Sequence, residues 1–290
     1  MIKKLLLPAL FAVSLATLPS CGSGAKEIEN DGSNTMLVVA TALAEIYHEQ
    51  HPEIVISVSG NGSGTGIASL IAGDVDIANA SRPMKPEEIA AAKKNGQDPV
   101  EHIVGYDGIA IYAHKDNPIE SLTLDQLKAI FGTGGSAASW KDLGIDLGSD
   151  SANEIAALSR QSSSGTYECF RNIVLGGKKA SFKQNCRLLN GSKEVVEFCA
   201  KTKSAIGYSG LAYATPDVKI VPVRKSKSDP AVLPTNDTVL DKRYAIARPL
   251  YMYTNGEPQG DIKAYVDWIK SPEGQGVLLK KKYVPMRKTD

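Results

Sequence analysis

Residues 159–170, SRQSSSGTYECF, lie where a strand pattern changes into a helical one. The preceding EIAALSR reads as a strand, and an apolar helical pattern runs from GTYECF onward. Arg160 thus stands just before three serines, a glycine and a threonine at a helix start. Three interpretations fit this composition: a solvated turn, a nucleophile, or a seat for an anion.

Two other junctions have the same composition, namely DGSNTM at 31–36 and GNGSGTG at 60–66. The first N–H groups of a helix have no partner within the helix and carry partial positive charge. Glycine lets a ligand approach the backbone, and Ser or Thr adds a side-chain donor. Simple N-capping uses the same residue types. Three such junctions, with Arg160 four residues before Ser164, favour anion binding over capping alone.

The rest of the chain alternates between strand and helix patterns. EIVISV at 53–58 and EHIVGYDGIAIYAH at 101–114 read as strands. Helix signals include Pro86 at a helix start and a capping box of Thr123 with Gln126. This alternation predicts an α/β fold with mainly parallel sheets, and 290 residues favour two lobes over one.

Other function classes lack their signatures. The formal net charge of +1 provides no basic surface for nucleic acid. No junction has the lysine of a phosphate-binding P-loop, and GNGSGTG does not match the dinucleotide fingerprint. A serine hydrolase elbow would need glycine at Asn61 and a histidine after His114. We expect no metal, no cofactor and no catalytic residue.

The N-terminal residues read as a targeting segment. A basic start and a short apolar stretch end in LPSC, which resembles a bacterial lipoprotein cleavage box. We expect a signal peptide at 1–20, lipidation of Cys21, and a tether at 21–27. The alternative is ordinary secretory cleavage with Cys21 as a plain thiol. Export favours a disulfide among the three later cysteines, with one left free: Cys169, Cys186 and Cys199.

Five segments together resemble the periplasmic phosphate-binding proteins of the ABC-type phosphate uptake system: GSNT, GNGSGTGIASLIAGDVDIANASR, SRQSSSGTYECF, AIGYSGLAY and YAIARPLYMYTN. The resemblance covers nearly the whole chain after the leader. It implies a two-lobed α/β periplasmic-binding-protein fold of type II, with two crossover strands as the hinge. The implied lobes are 28–108 plus 249–290 (lobe 1) and 109–248 (lobe 2).

The resemblance also implies the phosphate ligands: Thr35, Met36, Ser63, Ser81, Arg160, Ser164, Gly165 and Thr166. Arg160 would be the charge partner, because a guanidinium binds two phosphate oxygens at once. A second group of candidates lies beside these positions: Ser33, Asn34, Gly64, Arg82 and Asp107. Arg82 would be a second clamp on phosphate or a solvated residue.

Two acidic positions of the family pattern are serines in this chain, Ser81 and Ser162, and the first of them matters most. Family members place an aspartate, which accepts the proton of bound phosphate, where this chain has Ser81. We hypothesise that Asp107 supplies the carboxylate; it would otherwise hold Arg82 or cap a turn. The difference matters because sulfate has no such proton, so a facing carboxylate would repel it.

The implied function is a monomeric receptor that captures inorganic phosphate between its lobes. It would deliver phosphate to the permease and ATPase subunits of an ABC importer. The protein would be periplasmic or at the cell surface, anchored in a membrane by the lipid on Cys21. Three alternatives remain: the same fold binding sulfate, molybdate or tungstate; an exported phosphate-ester hydrolase; and a lipid-tethered adhesion or scaffold protein.

Overall fold

The computed structural model describes residues 26–287, and the expected signal peptide at 1–20 and the expected lipidation site Cys21 lie outside them. Within that range the strands are β1 (Lys26–Gly32), β2 (Ile54–Ser59), β3 (Ile77–Ala80), β4 (Pro99–His114), β5 (Leu122–Thr123), β6 (Ala156–Arg160), β7 (Arg187–Leu189), β8 (Ala205–Gly210), β9 (Val218–Val221), β10 (Val223–Arg224) and β11 (Ala247–Asn255). The helices are α1 (Leu37–Gln50), α2 (Ser63–Ala72), α3 (Pro86–Lys94), α4 (Leu124–Phe131), α5 (Asp150–Asn153), α6 (Gly165–Phe170), α7 (Ser192–Lys201), α8 (Asn236–Leu240), α9 (Gly260–Lys270) and α10 (Pro272–Lys280). The prediction of an α/β fold is confirmed.

Local sequence signals explain where several helices start and stop. Pro86 opens α3, and the Thr123–Gln126 capping box precedes α4, as predicted. Helix α2 ends at Gly73, whose φ of +83° lies in the left-handed region that glycine adopts without steric cost. Helix α6 continues as one π-helical turn, Arg171–Leu175, and stops at Gly176.

One continuous sheet runs through the molecule in the order β2-β1-β3-β11-β4-β8-β6-β7, with β9 also beside β4. The pairs β1–β2, β1–β3, β6–β7 and β6–β8 are parallel. Strands β4 and β11 instead run antiparallel to each other and to their other neighbours. The prediction of mainly parallel sheets therefore holds on the two sides of the sheet, but it is wrong for β4 and β11 in the middle and for β9 beside β4.

Strand β4 changes partner in its middle. It pairs with β11 up to Gly108 and with β8 from Ile109 onward. The change coincides with the start of β11 at Ala247, opposite Gly108. Separate apolar clusters lie on the two sides, one around Leu43 and one around Phe131. The polypeptide thus crosses between two cores on adjacent antiparallel strands.

Two expectations from the sequence need correction. Strand β1 begins at Lys26, so residues 26 and 27 of the expected tether belong to the sheet. Cys169, Cys186 and Cys199 are all free thiols, so the expected disulfide among them is wrong. Cys186 and Cys199 are instead buried in two different apolar clusters. No helix within residues 26–287 has the length and apolar character needed to cross a membrane.

Candidate functional site

The three Ser- and Gly-rich junctions meet in space. The amide of Gly62 donates to the carbonyl of Gly32 at 2.6 Å, which joins the first two junctions. The amide of Gly64 donates to the carbonyl of Ser163 at 2.9 Å, which joins the second to the third. The starts of α1, α2 and α6 therefore surround one point between the two cores.

Five buried hydroxyl side chains fill that point, and we call them the hydroxyl cluster: Ser33, Thr35, Ser63, Ser81 and Thr166. Ser33 Oγ donates to Ser81 Oγ at 2.8 Å, and the amide of Ser81 donates to Ser63 Oγ at 3.0 Å. Thr35 Oγ1 and Thr166 Oγ1 are 2.6 Å apart. These bonds connect residues separated by up to 131 positions in the sequence.

Gly165 packs directly on the cluster. A Cβ atom at this position would lie 2.5 Å from Ser63 Oγ and 2.6 Å from Ser81 Oγ. At such distances a side chain at position 165 would have to displace these hydroxyls, so glycine lets α6 approach the serines without disturbing the cluster. Gly64 is less restricted, since its Cβ would lie 3.3 Å from the carbonyl oxygen of Ser163.

Arg160 lies beside the cluster at the end of β6 and is 1% exposed. Its Nη atoms donate to Ser192 Oγ and to the Asn190 carbonyl, both at 2.8 Å, and to Asn34 Oδ1 at 3.4 Å. All three acceptors are uncharged. Among residues 26–287, Arg160 has no carboxylate within ion-pairing distance and no partner for its Nε–H. Burial lowers the pKa of Arg160 to about 10.

A polar cavity of about 460 Å³ adjoins Arg160, and we call it the Arg160 cavity. Asn34, Ser164 and Glu194 are among its lining residues. Ser164 Oγ accepts from the amides of Thr166 and Tyr167 as the N-cap of α6. Because those bonds use its acceptor positions, the Ser164 hydroxyl hydrogen remains free to donate to an anion.

Arg82 lies next to Gly64 of the second junction and is neither solvated nor free. It is 5% exposed, and its guanidinium bonds Glu88 at 2.6 and 2.7 Å. Its Nε lies 3.1 Å from Glu168 on α6. Burial acts to lower the pKa of Arg82, but the two glutamates outweigh it and the pKa is raised. The interpretation of Arg82 as solvated is wrong, and its charge is already matched by carboxylates.

Asp107 pairs with Arg248, a residue that the sequence analysis did not single out. The two face each other on β4 and β11, 2.8 Å apart and both buried. Asp107 also accepts from the amide of Leu211 at 3.2 Å. Burial raises the pKa of Asp107, while Arg248 and that amide act in the opposite direction. Asp107 therefore holds Arg248, and the idea that it holds Arg82 is wrong.

Met36 differs from the other predicted ligands. Its side chain is 1% exposed within the apolar cluster around Leu43, and its amide donates to the Ser33 carbonyl at 2.9 Å. The Met36 amide is thus already engaged in the turn before α1. Among residues 26–287, no group of three or more His, Cys, Asp or Glu side chains is arranged to hold a metal ion.

Comparison with known proteins identifies the family of this chain. Residues 19–273 match the model of the PBP superfamily domain. The chain is 33% identical over 266 residues to the phosphate-binding protein PstS of Pseudomonas aeruginosa, covering 88% of this chain and 81% of that protein. It is also 33% identical over 247 residues to the phosphate-binding protein PstS of Staphylococcus aureus, covering 84% and 73%.

Solved structures agree with the sequence relatives. A putative phosphate ABC transporter substrate-binding protein from Clostridium perfringens, solved with bound phosphate, superposes with a TM-score of 0.79 at 31% identity. The match covers 90% of this chain and all of that one. An ABC-type phosphate transport receptor from Vibrio cholerae gives 0.70 at 25% identity, covering 89% and 99%. The predicted periplasmic-binding-protein fold is confirmed.

Proposed function

Because this chain belongs to the PBP superfamily and, within it, to the family of the phosphate-binding protein PstS, we propose that it captures inorganic phosphate and delivers it to an ABC importer. It is a binding protein and not an enzyme. The phosphate site of the proposal consists of the hydroxyl cluster, the start of α6 and Arg160.

One observation supports this site above all: Arg160 is a buried cation with neutral partners. Burying an uncompensated charge is costly, so such groups are normally paired. Arg82 and Arg248 follow that rule through Glu88, Glu168 and Asp107. An oxyanion bound at Ser164 would give Arg160 the ion-pair partner that residues 26–287 do not provide within bonding distance.

We further propose that the two lobes, 28–108 plus 249–290 and 109–248, close around the anion. Support comes from the change of partner along β4 at Gly108 and Ile109. The hydroxyl cluster draws Thr35 from lobe 1 and Thr166 from lobe 2. Phosphate entry then requires the lobes to separate, since these hydroxyls bond each other directly.

Calorimetric titration of orthophosphate into the phosphate-free protein tests the proposal. We expect saturable one-to-one binding that Arg160→Met weakens strongly, because the variant removes a buried cation whose partners are all neutral. Arg243→Met is the matched control, since Arg243 is exposed and pairs with Asp241 far from the cluster. Absence of phosphate binding, or equal affinity in Arg160→Met, would contradict the proposal.

Sulfate, molybdate and tungstate are the competing ligands for the same site. The reason to test them is that Ser81 is not a carboxylate and that Asp107 is already bound to Arg248. A thermal-shift panel compares the anions, because a ligand at 100 times its Kd stabilises by about 2.7 kcal/mol. A larger shift with another oxyanion than with phosphate would reassign the ligand.

The cellular setting is also a proposal. We propose that the leader at 1–20 is removed, that Cys21 is lipidated and that the protein works outside the cytoplasm on a membrane surface. The LPSC box in the sequence supports this assignment. Mass spectrometry of the mature N-terminus tests it: a lipid mass on Cys21 supports the anchor, and an unmodified thiol contradicts it.

A further inference from the structure

Arg248 is a buried residue that contacts the Thr35 and Thr166 hydroxyls of the hydroxyl cluster. It lies on β11 directly across from Asp107 on β4, and both are at most 4% exposed. Nε and Nη2 donate to Asp107 Oδ2 at 3.2 and 2.8 Å, and Nη1 donates to the Ser81 carbonyl at 3.0 Å. The guanidinium is therefore fixed from two sides.

The remaining contacts of Arg248 reach both lobes. Nη2 donates to Thr35 Oγ1 at 3.2 Å and to Thr166 Oγ1 at 2.9 Å. Together with Asp107, these are three acceptors for two hydrogens, so one hydrogen is shared. A single nitrogen thereby connects one hydroxyl of each proposed lobe.

These contacts restrict where the threonine hydrogens can point. A hydroxyl can donate one hydrogen bond and accept two. Both threonine oxygens accept from Arg248, so neither can direct its hydrogen at the guanidinium. One hydroxyl donates to the other across 2.6 Å, and the second hydrogen has no acceptor among the described residues. That hydrogen could donate to an anion admitted when the proposed lobes separate, since both threonines are buried in the present arrangement.

We propose that Arg248, held by Asp107, is a positioning residue of the anion site that orients the Thr35–Thr166 hydroxyl pair so that one of its two hydrogens donates to the anion. The inference rests on the proposed phosphate function. Asp107 neutralises the charge of Arg248, which leaves Arg160 as the counter-charge for the anion. Arg248 then acts through the hydroxyls and through its link between the lobes, and not as a second clamp.

Three other roles predict different outcomes. If Arg248 were a direct electrostatic clamp, Asp107→Asn would strengthen anion binding by removing a competing carboxylate. If Asp107 accepted the phosphate proton directly, the effects of Asp107→Asn and Thr166→Val would add. If the pair served stability alone, the unfolding midpoint would fall and the Kd would stay constant.

The experiment titrates orthophosphate into the wild type, Asp107→Asn, Thr166→Val, their double variant and Arg248→Lys, with thermal unfolding of each. We expect Asp107→Asn and Arg248→Lys each to raise the Kd by about tenfold or more, as for loss of a hydrogen bond to a charged group. Lysine keeps the charge but lacks the planar fork that reaches all the acceptors at once. In the Thr166→Val background, Asp107→Asn should have a clearly smaller effect.

The result that overturns the inference is tighter binding by Asp107→Asn, additive effects in the double variant, or full affinity in Arg248→Lys. A wild type that binds no phosphate would instead refute the proposed function. Arg248→Lys is informative even if Asp107→Asn fails to fold, because it keeps the buried ion pair with Asp107.

Discussion

Glu168→Gln should weaken phosphate binding although Glu168 is not among the predicted phosphate ligands. The Glu168 carboxylate on α6 lies 3.1 Å from Arg82 Nε and 3.0 Å from Lys85 Nζ. Glu168 is 8% exposed and Arg82 is 5% exposed. By the proposed lobe boundaries, these two ion pairs join lobe 2 to lobe 1, so they exist only while the lobes are together.

The size of the effect follows from the hydrogen bonds that the substitution weakens. Hydrogen bonds to charged groups contribute about 1.5–3 kcal/mol. In Glu168→Gln, Arg82 keeps its two bonds to Glu88, and the glutamine can still form a neutral hydrogen bond. The substitution therefore costs the closed form about the free energy of one hydrogen bond to a charged group. That corresponds to a shift of about 10- to 150-fold in the closing equilibrium. The apparent Kd rises by the same factor when binding requires closure.

The sign of the change makes the test decisive. Removing a negative charge near an anion site would, by Coulomb attraction alone, tighten binding. If the ion pairs of Glu168 hold the two proposed lobes together, the substitution instead weakens phosphate binding. Calorimetric titration of phosphate measures the Kd, with Glu197→Gln as the control: it also removes one carboxylate from lobe 2, but from an exposed pair with Lys193. An unchanged or lower Kd in Glu168→Gln would refute the reasoning.

Three further predictions concern packing, thiols and acid stability. Gly165→Ala should raise the phosphate Kd by about tenfold or more, because the added Cβ would lie 2.5 Å from Ser63 Oγ. Calorimetric titration measures the Kd, and Gly276→Ala, whose Cβ would meet nothing within 4 Å, should bind phosphate like the wild type. Burial raises the pKa of Cys199 to about 12, so a thiol reagent at pH 8 should label it only after unfolding in urea, and rapid labelling of the native protein would contradict this. Burial lowers the pKa of His102, so folding favours its neutral form. The free energy of unfolding, measured in urea, should therefore fall as the pH drops below 6.5, the ordinary pKa of histidine. His102→Gln should show a smaller fall over the same pH range.

The local sequence pattern was enough to predict where several helices begin, because residues with specific capping chemistry mark their ends. Pro86 and Thr123 mark helix starts that the structure places within a residue of the prediction. Strand β1 escaped notice because its buried C-terminal half is polar: Asn30 and Asp31 are buried there beside Gly32. A central strand that ends at a polar site lacks the apolar run by which strands are recognised.

The site shows a different limit of sequence reasoning. The junctions that converge were recognisable because each carries its own composition. The Asp107–Arg248 pair was not, since it joins residues 141 positions apart through the register of two antiparallel strands. A signal existed nevertheless: Arg248 interrupts an apolar crossover strand, and a charge at such a position requires a buried partner. Which residue that partner is depends on the fold and not on the local sequence.

Three buried arginines lie at or near the site, and they differ in whether a carboxylate matches their positive charge. Arg82 has two glutamates, Arg248 has one aspartate, and Arg160 has only neutral acceptors among the described residues. By the proposed lobe boundaries, the two paired cations connect the lobes, and they attract an anion only weakly because their charge is matched. The unpaired one lies beside Ser164 and the polar cavity, where an anion can reach it. In the proposed function, closure and charge recognition thus belong to different arginines. Substitutions at Arg82 should reduce the affinity due to domain closure, and substitutions at Arg160 should reduce the affinity due to the anion's charge.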